Sequence, residues 1–258
     1  MKVIIIGGVA GGASAAARIR RLDETAQIIV LERSNYVSYA NCGLPYFIGG
    51  VIREQAELTL QTPQSFWERF HIDVRVRNEA VDIDVKSKTV AIRRLDTGEI
   101  YHEQYDKLLL SPGAKPVVPH LPGVTSDRIF SLRTVEDTLR IRKFIEEYKP
   151  ATAVLVGGGF IGLEMAENLT AMGISVTVIQ RSNQLFAPMD ADMGTEFICC
   201  SMCSTRCCIC RSVKIIRRFR FIFCLEWCLL SYCHFSLCGD ANATLLTACC
   251  WHSAAESF

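Results

Sequence analysis

"KVIIIGGVAGGASAAARIRRLDETAQIIVLE", residues 2–32, changes its hydrophobic period at two points. Val3–Ile6 is an unbroken apolar run short enough for a buried strand. Four glycines follow within six residues, and Ala13–Leu22 then repeats at helical spacing with small residues on one face. Ile28–Leu31 is a second buried strand that ends on Glu32. Strand, glycine turn, helix and strand make a β-α-β unit. Glycines let the backbone approach a pyrophosphate, whose charge sits at the helix N-terminus. A carboxylate about 20 residues on can accept ribose hydroxyls, and Glu32 is placed for that. The fingerprint reads Gly7-x-Val9-x-x-Gly12, so its middle glycine is replaced, although Gly8 and Gly11 keep the loop permissive. Taken alone, such a loop could also be an ordinary strand–turn–helix.

A second copy lies at residues 151–182, "ATAVLVGGGFIGLEMAENLTAMGISVTVIQRS", with the complete pattern Gly157-x-Gly159-x-x-Gly162 between strands at 153–156 and 175–179. Its acidic position is Gln180, followed by Arg181. A carboxylate there would favour NAD, whereas a nearby arginine accommodates a 2′-phosphate. Arg181 is read either as that phosphate contact, leaning towards NADPH, or as a solvated loop residue.

Between the copies, "TPQSFWERF" predicts a short helix with Thr62 as N-cap and Pro63 at its first position. Residues 73–105 read as a β-meander of short strands broken by the "DTGE" turn. "YDKLLLSPGAKPVVPHLPG" returns one strand to the sheet and then stiffens through Pro112, Pro116, Pro119 and Pro122, a domain-boundary signal. "TVEDTLRIRKFIEEY" predicts an amphipathic helix capped by Thr134 and Asp137. The fold class is α/β, with two Rossmann-like β-α-β domains and a β-meander insertion.

Residues 1–198 carry 22 Lys and Arg against 24 Asp and Glu, and residues 199–258 carry 6 against 3. Neither part is basic enough for a nucleic-acid partner. "MKVIIIGG" is too short for a secretory signal, and the first 198 residues hold only one cysteine, Cys42. Both features predict a cytoplasmic protein without a disulfide framework or membrane segment.

Two such units about 150 residues apart, with one cysteine just beyond the first, form a recognisable layout. With "GGVAGGASAAARIRRL", "SYANCGLPYFIG", "YDKLLLSPGAKP", "VGGGFIGLEMAENL" and "MDADM", the chain resembles the flavin-dependent pyridine nucleotide–disulfide oxidoreductases. Within them it is similar to the single-cysteine branch of coenzyme A-disulfide reductases and related CoA-persulfide or polysulfide reductases. The resemblance runs to about residue 193. It implies FAD at Gly7, Gly8, Val9, Ala10, Gly11, Gly12, Glu32 and Arg33. It places NAD(P)H at Gly157, Gly159, Phe160, Ile161, Gly162, Glu164, Gln180 and Arg181. Cys42 is implied as the catalytic thiol, cycling between thiolate and a mixed disulfide with CoA. Ser14, Arg18, Arg21, Ser38 and Asn41 match positions that bind CoA. Arg18 and Arg21, three apart on a helix, could grip phosphates or form a plain solvated face. "CGLPYFIG" predicts that Cys42 opens a helix, where the dipole favours a thiolate; without the resemblance, a buried core cysteine is an equal reading. The sibling NADH oxidases and peroxidases, which carry a cysteine sulfenic acid, are the alternative, and an inactive nucleotide-binding fragment is another. No resident metal is implied, and the intact family is expected to be homodimeric.

The implied domains are residues 1–118 for the first half of the FAD domain, 119–150 for a connecting segment and helix, and 151–194 for a truncated NAD(P) unit. Residues 195–258 form an anomalous tail. From 199 on, one residue in five is cysteine and none is proline. The pattern Cys200-x2-Cys203-x3-Cys207-x2-Cys210 offers paired metal-ligand spacing, but the pairs lie closer than in zinc modules. "FIFCLEWCLLSYCHFSLC" is short for a membrane span and contains Glu226 and His234. Loss of reading frame, or disorder, is the favoured reading of this segment.

Overall fold

The first glycine loop is held up by a sheet whose strands are apolar on both sides. β1 (Lys2–Ile6) pairs in parallel with β2 (Gln27–Glu32), joined by helix α1 (Ala10–Leu22). Two further parallel strands flank them: β3 (Asp73–Val76) beside β2, and β7 (Lys107–Leu110) beside β1. Val3, Ile5, Ile28 and Val30 pack with Ala13, Ala16 and Phe66, while Ile4, Ile29 and Leu31 pack against Val90 and Ile92 on the opposite face. Burial of both faces is why these strands read as continuous apolar runs rather than alternating ones.

The computed structural model describes residues 1–118, 120, 122–181, 185 and 190, together with the backbone of three later segments, 213–217, 232–236 and 245–249. Two compact units result: residues 1–40 with 54–114, and residues 41–53 with 115–258.

In the first unit, α3 (Gln55–Leu58) and α4 (Pro63–Phe70) precede β3. Thr62 caps α4 in a reciprocal box with Ser65, and Pro63 opens the helix, as its sequence predicts. β4 (Asn78–Asp84), β5 (Thr89–Arg94) and β6 (Ile100–Gln104) form a three-stranded antiparallel sheet. The meander expected from residue 73 therefore starts later, because Asp73–Val76 joins the parallel sheet through Val30↔Val74. At the edge of these sheets Glu103 receives hydrogen bonds from Lys2 and from Arg75, the latter at 2.7 Å, and Arg75 also pairs with Asp73 at 2.8 Å.

The second unit contains α2 (Leu44–Ile48), β8 (Ile129–Leu132), α5 (Val135–Tyr148), β9 (Thr152–Val156), α6 (Phe160–Ala171) and β10 (Ser175–Gln180). Thr134 and Asp137 form the expected capping box on α5. β9 and β10 pair in parallel around Val154↔Thr177.

Three five-residue strands from the later segments join this sheet: β11 (Val213–Arg217), β12 (Tyr232–Ser236) and β13 (Leu245–Cys249). The strand order is β11-β10-β9-β12-β13-β8, with β12 antiparallel to both β9 and β13. The Cys200–Cys210 pattern, Pro119 and most of "MDADM" lie outside the described residues. Among the described residues, no helix is long and apolar enough to cross a membrane.

Candidate functional site

The first loop is shaped by contacts that leave no room for a side chain. Gly7 has φ +96° and donates its N–H to Leu31 O at 2.8 Å. A Cβ on Gly12 would lie 1.7 Å from Gly7 O, so α1 starts directly against the turn. Both positions require glycine, the first for its left-handed backbone and the second for close approach. Val9, the N-cap of α1, has φ −95° and ψ −124°, so the middle position of the fingerprint does not need the left-handed backbone that Gly7 adopts.

Glu32, 9% exposed, accepts hydrogen bonds from Gly8 N at 2.8 Å and Ser34 N at 2.9 Å. It thus ties the loop to the end of β2. Ala10 opens α1 and Gly11 is exposed, while Arg33 lies 3.7 Å from Glu79. Ser38 adopts a left-handed φ of +49° and donates its N–H to Gly8 O at 2.9 Å.

On α1, Ser14, Arg18 and Arg21 are exposed on one face. Arg20, which sequence reasoning passed over, is structural. Its guanidinium donates to Phe70 O at 2.7 Å, His71 O at 3.0 Å, Glu24 O at 2.6 Å and Asp23 O at 3.3 Å.

The second loop repeats this geometry within its own unit. Gly157 has φ +113° and donates to Ile179 O at 2.7 Å. A Cβ on Gly162 would lie 2.1 Å from Gly157 O. Gly158 N donates to Gln180 Oε1 at 2.9 Å, so the glutamine takes the carboxylate's place in the loop. Gly158 also faces Leu185, whose Cδ2 would sit 2.1 Å from an added Cβ. Gly159 is the N-cap of α6, followed by Phe160, half exposed, and Ile161. Arg181 is exposed. Burial, with Glu167 adding, raises the Glu164 carboxyl above its usual range.

Both loops fit a phosphate-bearing dinucleotide. α1 and α6 have neither a side-chain cap nor an acidic residue in the first turn, so the N–H groups there stay available to an anion.

Cys42 is exposed and lies in a 3-10 turn, Asn41–Gly43, rather than at the first residue of an α-helix. The five-residue α2 follows it, which is too short to supply the extended dipole the sequence suggested. Residues 41–53 belong to the second unit. A Cβ on Gly49 would lie 2.1 Å from Asn168 Oδ1, so Gly49 lets α2 come close to α6. Asn168 is buried and donates to Glu164 O at 2.8 Å. From α5, Arg142 stacks 4.3 Å over Phe47 and donates to Phe47 O at 3.3 Å. Arg133 Nη1 donates to Asn41 Oδ1 at 3.2 Å. Burial, then the acidic groups of Glu164, Glu167 and Cys42, raise the Tyr46 hydroxyl above its ordinary value.

None of these supports was legible in the sequence. Arg142 and Arg133 belong to no motif, and Gly49 and Asn168, although they lie inside "SYANCGLPYFIG" and "VGGGFIGLEMAENL", carry no signal of the contact between them.

Two glycine-cradled β-α-β loops, one per unit, define a doubled dinucleotide-fold protein, and the second unit carries an exposed thiol. The chain belongs to the pyridine nucleotide-disulphide oxidoreductase family, whose model matches residues 1–198. It is 44% identical over 193 residues to a coenzyme A disulfide reductase of Staphylococcus haemolyticus, covering 75% of this chain and 43% of that one. The crystal structure of reduced Bacillus anthracis CoADR-RHD matches with TM-score 0.76 at 46% identity, covering 84% of this chain and 38% of that one. A NAD-dependent persulfide reductase from A. fulgidus matches with TM-score 0.74 at 35% identity, covering 84% and 39%. The chain thus spans less than half the length of these relatives.

Proposed function

We propose that this chain is the nucleotide-binding portion of an oxidoreductase that reduces coenzyme A disulfide, or a CoA persulfide, with NAD(P)H, and that Cys42 is its redox-active thiol. One arrangement supports this most. The only cysteine of the first 198 residues is exposed, its turn is bonded by Arg133, and the helix α2 that follows packs at Gly49 against the helix of the second glycine loop. A cysteine kept for packing would be buried.

The first loop, with Glu32, would hold FAD, and the second, with Gln180 and Arg181, NAD(P)H. FAD, when bound, supplies a carrier for the two electrons that NAD(P)H donates. Cys42, as thiolate, attacks one sulfur of the disulfide. A Cys42–SCoA bond forms, the S–S bond breaks, and one CoA leaves as thiolate. Reduction of the mixed disulfide by two electrons frees the second CoA and restores the thiol. Ser14, Arg18 and Arg21 form an exposed face suited to phosphate groups, and Ser38 and Asn41 offer polar groups for the arm of the substrate.

The test is peptide mass spectrometry of the reduced chain after exposure to CoA disulfide. The expected result is a CoA adduct on the Cys42 peptide, lost on adding FAD and NADH or NADPH and absent in Cys42→Ser. An unmodified Cys42 peptide under these conditions overturns the reading.

A further inference from the structure

Arg133 sits between β8 and α5, far from Cys42 in sequence, yet its side chain reaches the turn that carries the thiol. Its backbone is pinned. Arg133 N and Thr134 N both donate to Asp137 Oδ2 at 3.0 Å. Its side chain donates from Nη1 to Asn41 Oδ1 at 3.2 Å, and its Nε is buried without a partner among the described residues. A buried donor left unpaired is costly, so an arginine here is not explained by packing.

Arginine has donors only, so the Asn41 atom facing it must be the oxygen. The amide is planar and its NH2 therefore points away from Arg133. That NH2 meets no acceptor among the described residues. Asn41 is half-buried and adjoins the exposed Cys42 within the same 3-10 turn.

Building on the assignment of Cys42 as the exchanging thiol, we propose that Arg133 is a positioning residue that fixes the polarity of the Asn41 amide. The turn then presents a hydrogen-bond donor next to the reactive sulfur. It selects disulfides that bear an acceptor near the S–S bond, such as the amide carbonyls of a pantetheine-type arm, over disulfides with simple hydroxyalkyl arms. The exchange itself needs no further reagent. Cys42 sulfur forms a bond to one sulfur of the disulfide, and the other leaves as thiolate.

The experiment compares rates of mixed-disulfide formation at Cys42 with pantethine and with bis(2-hydroxyethyl) disulfide, read on the Cys42 peptide by mass spectrometry. In Arg133→Met, which removes every donor but keeps an unbranched apolar stem, the pantethine preference should fall roughly tenfold, the equivalent of one lost hydrogen bond. Thermal stability should not fall, since the unpaired Nε is gone too. Arg133→Lys should recover part of the preference. Asn41→Asp retains the partner for Arg133 but has no NH2, so it should lose the preference equally. It also keeps the proposal testable if Arg133→Met does not fold. A wild-type preference that survives unchanged in Asn41→Asp and in any folded Arg133→Met overturns this inference alone. A wild-type Cys42 that exchanges with neither disulfide overturns the thiol assignment and this inference with it.

Discussion

Gln180 Oε1 lies 2.9 Å from Gly158 N, the same bond that Glu32 Oε2 makes to Gly8 N at 2.8 Å. One side chain is neutral and the other acidic, yet each ties its glycine turn to the end of its second strand. The pairing separates two jobs that the acidic position carries. An oxygen acceptor holds the loop, and either side chain provides one. A negative charge would meet the ribose of a bound dinucleotide, and of the two side chains only Glu32 carries one. Glu32→Gln keeps an acceptor for Gly8 N but sets its NH2 against Ser34 N, so it should cost less stability than Glu32→Ala without being neutral. Glu32→Ala leaves Gly8 N unpaired near the sheet end and should cost about 1–3 kcal/mol. Urea unfolding of the three proteins separates these outcomes.

The glycines differ in how much they tolerate. Gly12→Ala places its Cβ 1.7 Å from Gly7 O, a backbone atom that cannot swing away. Overpacking of this kind costs about 1–3 kcal/mol and here also spreads the loop. The expected result is a lower melting temperature with loss of adenine-nucleotide binding, measured by calorimetry. Gly98→Ala should be milder in packing, since nothing lies within 4 Å of its added Cβ, and should pay only for its φ of +76°.

Three arginines on α1 predict opposite results. Arg20 donates to four backbone carbonyls and ties the end of α1 to the end of α4. Arg20→Ala should destabilise the fold by about 2 kcal/mol, as expected for charge-assisted bonds. Arg18→Ala and Arg21→Ala should leave unfolding midpoints unchanged and lower affinity for CoA disulfide instead. Denaturant midpoints beside equilibrium binding check both halves.

Much of this was legible in the chain. The two glycine patterns, Thr62 with Pro63, and the Thr134–Asp137 box specify local geometry, and local geometry is what residue spacing encodes. Three features escaped. Asp73–Val76 alternates like a meander strand, but its partner, β2, lies more than 40 residues earlier and no local signal announces the pairing. Gln180 looked like a missing carboxylate because the loop bond it makes is invisible without coordinates. Arg133 and Arg142 act at distances of 92 and 95 residues from their partners in the Cys42 segment, where sequence pattern carries no information.

Acid should loosen the first unit through Glu103. Burial pushes its carboxyl up, but hydrogen bonds from Lys2 and Arg75 outweigh that and hold it below 4.5. A carboxyl depressed in the folded state stabilises the protein above its unfolded value. That contribution fades as pH falls through the folded value. Unfolding free energy should decline on going below about pH 4.5, and Glu103→Gln should flatten that slope while lowering stability at pH 7. Urea titrations from pH 3 to pH 7 supply the comparison.

The Asn41–Arg133 bond spans 92 residues, and its two ends belong to one compact unit although the first unit's chain both precedes and follows Asn41. During synthesis at roughly 5–20 residues per second, about 5–18 s pass between the two residues leaving the ribosome. Through that interval the nascent first unit can close its own sheet, while the segment 41–53 has nothing to dock on. The thiol turn therefore matures only after Arg133 has emerged, long after its own residues, and its assembly reports that the second unit has begun to arrive.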